Sequence, residues 1–550
     1  MIKIFLNLVI RNFLKDKILN TLNLLGLSMG LIAAALIVLY ADHELSYDKF
    51  HPDAKNIYRM EGKTNSALWF SSLGKEHGQE LISGKYPAVK AVVRLNSQNS
   101  MTLAYGDKTF MESNVKQVAP GSKFFDFFGF QVLEGNRKNL LDEPHAVVLT
   151  QSTARKYFGE ASPIGEAIKY NALLLKVTGV IADLSTNTHL KFDLLYTNPN
   201  TFGQEHFHTE TYIQLVNEVE PETIEEKILA MEDVAFNEGH ELSDVSLVSL
   251  ADIYFKSQAS FGAGGSGDPL QLYIFIVIGA LILLIAVTNY VNLSMAIYAS
   301  KAMEVGMRKV LGESRPGIIQ AFFLESLFMA LLTIPFVLIG LSVLLPKFNS
   351  FMGLNIENMF ISSPAYWLSL IAFFGLLSLI TMIYPALTLT RTKISMLLKS
   401  KASIHSTGGI RLRNLLIFVQ FMLLFTLGIS AWFMNRQISF LDNKDMGFKA
   451  ENVIKITNAF DLGQMNEYYL LKNELTSSPL IAGITFGPMI GDGSNALAYK
   501  PEGQDEVYEN LLSYGVDIDY FDVMDIDILA GEFKTTLSAA DSGQVVSLVN

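Results

Sequence analysis

Cysteine is absent from all 550 residues, which removes disulfides, thiolate zinc sites and cysteine nucleophiles together. Charge is scarce as well: 17% of residues are charged, against about 25% in a typical soluble protein. Several catalytic signatures are also missing. No Gly-x-x-x-x-Gly-Lys-Ser/Thr occurs, so the chain has no loop to cradle nucleotide phosphates, and His-Glu-x-x-His does not occur either. These absences argue against an enzyme, and no cofactor is expected.

What the chain has in excess is uninterrupted apolar sequence. Five stretches are long enough, at about 20 residues, to cross a hydrocarbon core as helices. They run from Leu22 to Ala41, Leu270 to Leu293, Phe322 to Leu345, Trp367 to Leu387 and Leu415 to Met434, none with a charge in its middle. A buried core helix rarely stays apolar on every face for so long. Asn289 and Asn292 are polar within the second stretch and are expected to hydrogen-bond to a neighbouring helix, a cargo contact being the alternative.

The formal charge of −12 hides a segregation. Lys3, Arg11, Lys15 and Lys17 precede the first span. Lys301, Arg308, Lys309 and Arg315 lie between the second and third, and Arg391, Lys393, Lys399, Lys401, Arg411 and Arg413 between the fourth and fifth. Only Asp16, Glu304 and Glu313 oppose them. Short basic flanks stay inside, so the N-terminus is expected in the cytoplasm. Two large segments, from about Asp42 to Pro269 and from Asn435 onward, are then expected outside. The first mixes strand-like runs (Ala146 to Leu149, Leu173 to Val180) with a helix-like run (Pro221 to Val234), the pattern of an α+β domain.

Residues 1–21 place Ile2, Phe5, Leu6, Val9, Ile10, Phe13 and Leu14 at helical spacing. That predicts an amphipathic helix on the inner leaflet rather than a secretory signal. Phe261 to Gly267 is glycine-rich and reads as a joint, since no Lys-Ser/Thr follows to make it a phosphate cradle. Glu205, His206, His208 and Glu210 could face a metal from one strand, but the cluster reads more simply as a wet strand face, so no metal site is assigned. An internal repeat is also visible. Phe124 to Gly135 (FFDFFGFQVLEG) matches Tyr520 to Gly531 (YFDVMDIDILAG) at an offset of 396, and Val147-Val148 matches Val545-Val546 at 398. Three ordered matches, counting the first span against the fifth, predict a duplication whose second copy is cut short within its outer domain.

Between spans two and three, Ser300 to Ser326 reads SKAMEVGMRKVLGESRPGIIQAFFLES. It resembles the cytoplasmic signature of FtsX-like permeases at Lys301, Glu304, Val305, Gly306, Arg308, Lys309, Gly312, Ile318, Phe323, Leu324, Glu325 and Ser326, with Glu313 where a small residue is usual. Glu44 to Met60 (ELSYDKFHPDAKNIYRM) is similar to the start of a MacB-type periplasmic core domain, and Tyr384-Pro385-Ala386 with Leu397-Leu398-Lys399 fits the same family. The resemblance implies a helical transmembrane bundle of the inner membrane with MacB-type α+β periplasmic domains. The expected division is 1–21 surface helix, 22–41 first span, 42–269 periplasmic core domain, 270–400 permease domain with a cytoplasmic loop over 294–321, 401–434 basic linker and fifth span, and 435–550 a second, incomplete periplasmic domain.

It also implies that a separate cytoplasmic ABC ATPase docks on the loop. Glu304, Gly306, Arg308, Lys309, Gly312 and Arg315 are the candidate coupling residues, with Met303, Val305, Met307, Val310 and Leu311 as apolar contacts. Read from the residues alone, the loop could equally be held by anionic lipid. The resemblance further implies a periplasmic adaptor and an outer-membrane channel as partners, with membrane lipids but not nucleic acid. Export is the expected function. A non-transporting mechanotransmitter that activates a periplasmic cell-wall hydrolase is the alternative.

Overall fold

The computed structural model describes residues 17–64, 69–71, 86–98, 101–199, 209–217, 219–230, 235–237, 240–259, 267–356, 364–391, 407–444, 447–448, 452–456, 465–487, 495–499, 508–513, 515–517 and 519–528. The chain divides into two compact units, Met1–Ile429 and Ser430–Asn550. Residues 1–16 of the surface helix predicted over 1–21, residues 261–266 of the glycine-rich joint predicted over 261–267 and the repeat match at Val545-Val546 lie outside the described residues, while 17–21 are helical.

Long helices cover all five apolar stretches. In the order of the chain they are α1 (Lys17–Leu45), α2 (Phe124–Phe128), α3 (Gln151–Phe158), α4 (Pro221–Leu229), α5 (Ile253–Lys256), α6 (Pro269–Ser300), α7 (Ala302–Val310), α8 (Arg315–Met352), α9 (Pro364–Arg391) and α10 (Thr407–Asp442). Among the described residues α1, α6, α8 and α10 are long and apolar enough to span a membrane, and α9 contributes a shorter apolar run, Trp367–Ile380. The helices outrun the predicted spans. α1 starts five residues before Leu22, and α6 continues through Ser300, so the segment read as a loop from 294 is still helix there.

Glycine inside a helix costs about 1 kcal/mol relative to alanine, yet α1 keeps Gly26 and Gly30. A Cβ on Gly30 would lie 2.2 Å from that of Ala286, and one on Gly26 would lie 3.3 Å from Asn289 Nδ2. Further along the pair, Gly279 of α6 faces Ile37. The two helices therefore run antiparallel at a distance only small residues permit. Gly340 of α8 packs on Ile32 in the same way, and Leu27, Leu31, Tyr290, Ala330, Val337, Leu341 and Phe374 fill the space between the helices. Asn23 Nδ2 of α1 donates to Ser294 Oγ of α6 at 3.2 Å, and Tyr290 OH of α6 donates to the Ser326 carbonyl of α8 at 3.4 Å. Of the two asparagines expected to bond across helices, Asn292 has its Oδ1 buried with no hydrogen-bond partner among the described residues.

The outer part of the first unit is built on a fourteen-stranded mixed sheet. Its middle strands lie in the order Ile57–Thr64, Thr209–Leu215, Val89–Gln98, Val115–Val118, Leu194–Thr197, Ala146–Thr150 and Leu173–Ile181. The strands expected at Ala146 and Leu173 are present. The helix expected from Pro221 to Val234 is described as far as Leu229. The main core is a cluster of aromatics, Phe124, Phe125, Phe127, Phe128, Phe130, Phe192 and Tyr212, packed between α2 and the sheet. α2 closes on Gly129, which takes φ +75°. In the second unit the matching repeat folds alike: Tyr520–Met524 is a five-residue helix closed by Asp525 at φ +53°.

Candidate functional site

α7 is a nine-residue helix between two tight turns. Gly312 takes φ +90°, a conformation side chains rarely adopt, and turns the chain back toward the bundle. Ser314 then caps α8 by accepting from Gly317 N–H at 3.4 Å, and Pro316 sits in the first turn, where its missing N–H costs nothing. Lys301, just before α7, is ion-paired with Glu325 of α8, both largely buried, so the start of α7 is tied to the bundle.

One row of α7 and the turn after it faces outward: Met303, Met307, Val310 and Leu311 are all exposed, at i, i+4, i+7 and i+8. Val305 and Gly306 are buried. Val305 therefore anchors the helix to its own bundle, a correction to its reading as a contact for a partner. Arg308 Nη2 donates to Glu304 Oε1 at 2.6 Å, and Nη1 lies 3.9 Å from Glu313 Oε2. The unusual Glu313 thus has a place, holding Arg308 from the far side of the turn. Partial burial, together with nearby Arg315, pushes the Lys309 ammonium below its usual range. Arg315 is exposed at the first position of α8. The six candidate residues are thereby gathered into one turn-helix-turn segment.

A second constellation was missed by sequence reasoning. Where α1 ends, Asp48 adopts φ +56° and is fully buried. It accepts from Thr188 Oγ1 at 2.5 Å and from His189 N–H, and it faces His189 Nδ1 at 2.7 Å. His189 Nε2 is 2.8 Å from Tyr212 OH, which donates to Glu210 Oε2 at 2.5 Å. Lys116 Nζ reaches Glu210 Oε1 at 3.2 Å and Ser97 Oγ at 2.5 Å. Directly opposite Tyr212 in the sheet, Arg59 donates to Glu61 Oε1 at 2.7 Å. Glu61 in turn accepts from Ser257 Oγ and from Gln258 N–H, close ahead of α6.

Burial pushes the Asp48 and Glu210 carboxyls up, but the surrounding donors and cations win. His189, with Thr188, holds Asp48 well below the usual carboxylate range, and Lys116 and Arg59 hold Glu210 at about 2. Glu210 is thus committed to a structural network. Its metal-ligand companions of the sequence reading, residues 205–208, lie outside the described residues. The available signal was Glu210, Tyr212 and Gln214 at strand spacing on one face of a segment buried on both.

A family model described as the MacB-like periplasmic core domain matches residues 21–231, and one described as the FtsX-like permease C-terminal domain matches 276–394, together more than half of the chain. This chain belongs to the MacB/FtsX-like permeases. A MacB/FtsX-like permease is an inner-membrane protein with a periplasmic domain, which here is the sheet domain. Two curated relatives are both macrolide export ATP-binding/permease proteins MacB. The one from Chromobacterium violaceum is 22% identical over 229 residues, covering 40% of this chain and 34% of the relative. That of Mannheimia succiniciproducens is 21% identical over 250 residues, covering 43% and 36%. The chain thus spans about a third of the length of the curated relatives it matches. Among solved structures, the periplasmic region of MacB from Actinobacillus actinomycetemcomitans matches with 16% identity and TM-score 0.29, covering 36% of this chain and 91% of that one. The extracellular domain of the noncanonic ABC-type transporter YknZ from Gram-positive bacteria matches with 17% identity and TM-score 0.27, covering 34% and 100%.

Proposed function

We propose that the chain is the permease subunit of an ABC exporter and that α7 docks on a separate cytoplasmic ATPase. The exposed row of Met303, Met307, Val310 and Leu311, flanked by Arg308, Lys309 and Arg315, carries this reading. Four unpartnered apolar side chains on a rigidly tethered helix suit a protein groove better than water. Nucleotide-driven movement would enter at α7 and leave through α1 and α6, which lead to the sheet domain. Export is favoured over mechanotransmission because both relatives are macrolide export proteins. No Walker loop occurs in this sequence, so the ATPase is taken to be another chain.

Reversing Arg308 and Lys309 to glutamate should abolish co-purification of the ATPase while leaving the protein in the membrane. An enclosed interfacial charge typically costs about 2–5 kcal/mol when lost, and a rim charge far less. Wild-type recovery of the ATPase together with unchanged coupled hydrolysis would reduce α7 to a lipid-bound segment. Because the change also weakens the positive-inside signal, orientation is measured in the same variant. For the native chain, reporter fusions at Ser100 and Ser494 should be active only as periplasmic reporters, and one at Ser400 only as a cytoplasmic one. A cytoplasmic signal at Ser100 would invert the arrangement and remove α7 from reach of any ATPase.

A further inference from the structure

Donor accounting in the buried network leads to an assignment that distances alone do not state. Tyr212 OH lies 2.5 Å from Glu210 Oε2 and 2.8 Å from His189 Nε2. A carboxylate can only accept, and a bare oxygen-oxygen approach of 2.5 Å between a hydroxyl and a carboxylate would be strongly repulsive. The single phenolic proton is therefore spent on Glu210. His189 Nε2, facing the phenolic oxygen, must then supply a proton of its own. At the other side of the ring Nδ1 lies 2.7 Å from Asp48 Oδ2, a second group that can only accept.

We infer that His189 carries protons on both ring nitrogens, a buried imidazolium that fastens the periplasmic end of α1 to the centre of the sheet.

Charge balance supports the assignment independently. The described groups enclosed together are Asp48 from the end of α1, Arg59 and Glu61 from one strand, Lys116 from a second, and Glu210 from a third. All are at most 3% exposed. Three carboxylates face two fixed cations, so a neutral His189 would leave one buried negative charge uncompensated, a state proteins avoid. An imidazolium brings the sum to zero. His51 is the other ring nearby. Its Nδ1 donates to Phe128 O at 2.7 Å, as the neutral tautomer can, and its Nε2 stands 3.8 Å from Asp48, too far for a hydrogen bond. The proton is thus placed on His189 by geometry. The left-handed backbone of Asp48 fits the same picture, since an unfavourable conformation persists only where surrounding contacts over-determine it.

The network also reaches toward both helices that lead to the membrane. Asp48 follows α1, while Glu61 holds Ser257 and Gln258 shortly before α6. The charged centre therefore ties the sheet to the end of α1 and holds Ser257 and Gln258 on the segment that leads to α6. The end of α1 cannot shift against the sheet without separating Asp48 from His189.

The direct test uses the full-length chain in detergent. Labelling threonine carbonyls and histidine nitrogens singles out Thr188–His189, the one Thr-His dipeptide in the sequence. Both ring nitrogens of His189 should resonate in the protonated region, and a deprotonated position for either would overturn the assignment. A charge-swap series supplies the second arm. His189→Gln should lower the unfolding temperature of the sheet domain by at least about 5 °C, because it leaves a buried carboxylate uncompensated. Adding Asp48→Asn removes that charge and should restore at least half of the loss, since asparagine tolerates the left-handed backbone. A His189→Gln variant within about 1 °C of native, or a double variant no better than the single one, would mean that the ring is neutral. If His189→Gln does not fold, the native spectrum alone decides.

Discussion

Gly135→Ala should be among the most damaging single-methyl changes in this protein, lowering the unfolding temperature of the sheet domain by roughly 10 °C. Gly135 takes φ +97°, where any side chain is strained by about 1–3 kcal/mol. A Cβ there would also lie 2.4 Å from the carbonyl oxygen of Thr178 and 3.0 Å from Gly179 Cα, both backbone atoms of a central strand that cannot swing aside. Overpacking of that kind adds about 1–3 kcal/mol. The entropic gain of replacing glycine, at most about 1 kcal/mol, does not offset the two costs. Gly106→Ala separates them. Gly106 has φ +58° at a hairpin turn with nothing within 4 Å of the added carbon, so it should lose only about 1–2 kcal/mol. Thermal unfolding of both variants followed by intrinsic fluorescence checks the ranking, and equal losses would mean that crowding at Gly135 contributes nothing.

Lys116→Met should be of comparable severity for a different reason. Lys116 and Glu210 are 3.2 Å apart and almost fully buried. Removing one partner of such a pair costs about 3–5 kcal/mol, whereas replacing both is often close to neutral. Lys116→Met combined with Glu210→Gln should therefore be more stable than Lys116→Met alone. Acidity offers an independent measurement. Glu210 titrates in the folded protein at about 2, against 4.5 for the unfolded group. Its contribution to stability is therefore present above pH 4.5 and is lost as pH falls toward 2. The acid limb of a stability-pH curve should flatten over that window in Glu210→Gln. An unchanged limb would show that Glu210 is not the group being titrated.

The membrane helices were legible in the sequence because burial in lipid demands a long run of one property, and Leu22 to Ala41 or Leu270 to Leu293 displays it without reference to any other residue. Four of the five apolar contacts read between spans two and three, Met303, Met307, Val310 and Leu311, are exposed, and their helical spacing is visible without any residue from elsewhere in the chain. Val305, the fifth, is buried. Its burial depends on where the bundle lies, and an apolar residue beside Met303 and Met307 looks the same whichever way it points. The network around Asp48 was harder still. Asp48, His189 and Glu210 are scattered over more than 160 positions of the chain, and they meet only once the turn at Asp48 and the loop at His189 are folded against the strand of Glu210 and Tyr212. Period-two patterning indicates a strand; it does not indicate which strand lies beside it.

The contact between Gly30 and Ala286 has a mechanical consequence. Where two helices meet through long side chains, they can slide by exchanging rotamers, so a displacement of one is partly absorbed before it reaches the other. Here the methyl of Ala286 sits against a bare backbone, with no rotatable bond between them to act as a cushion. Gly26 and Gly279 keep the two backbones close along the same seam, against the side chains of Asn289 and Ile37. An axial push on α1 must therefore be delivered to α6 almost undiminished, and the pair behaves under load as one rod rather than two.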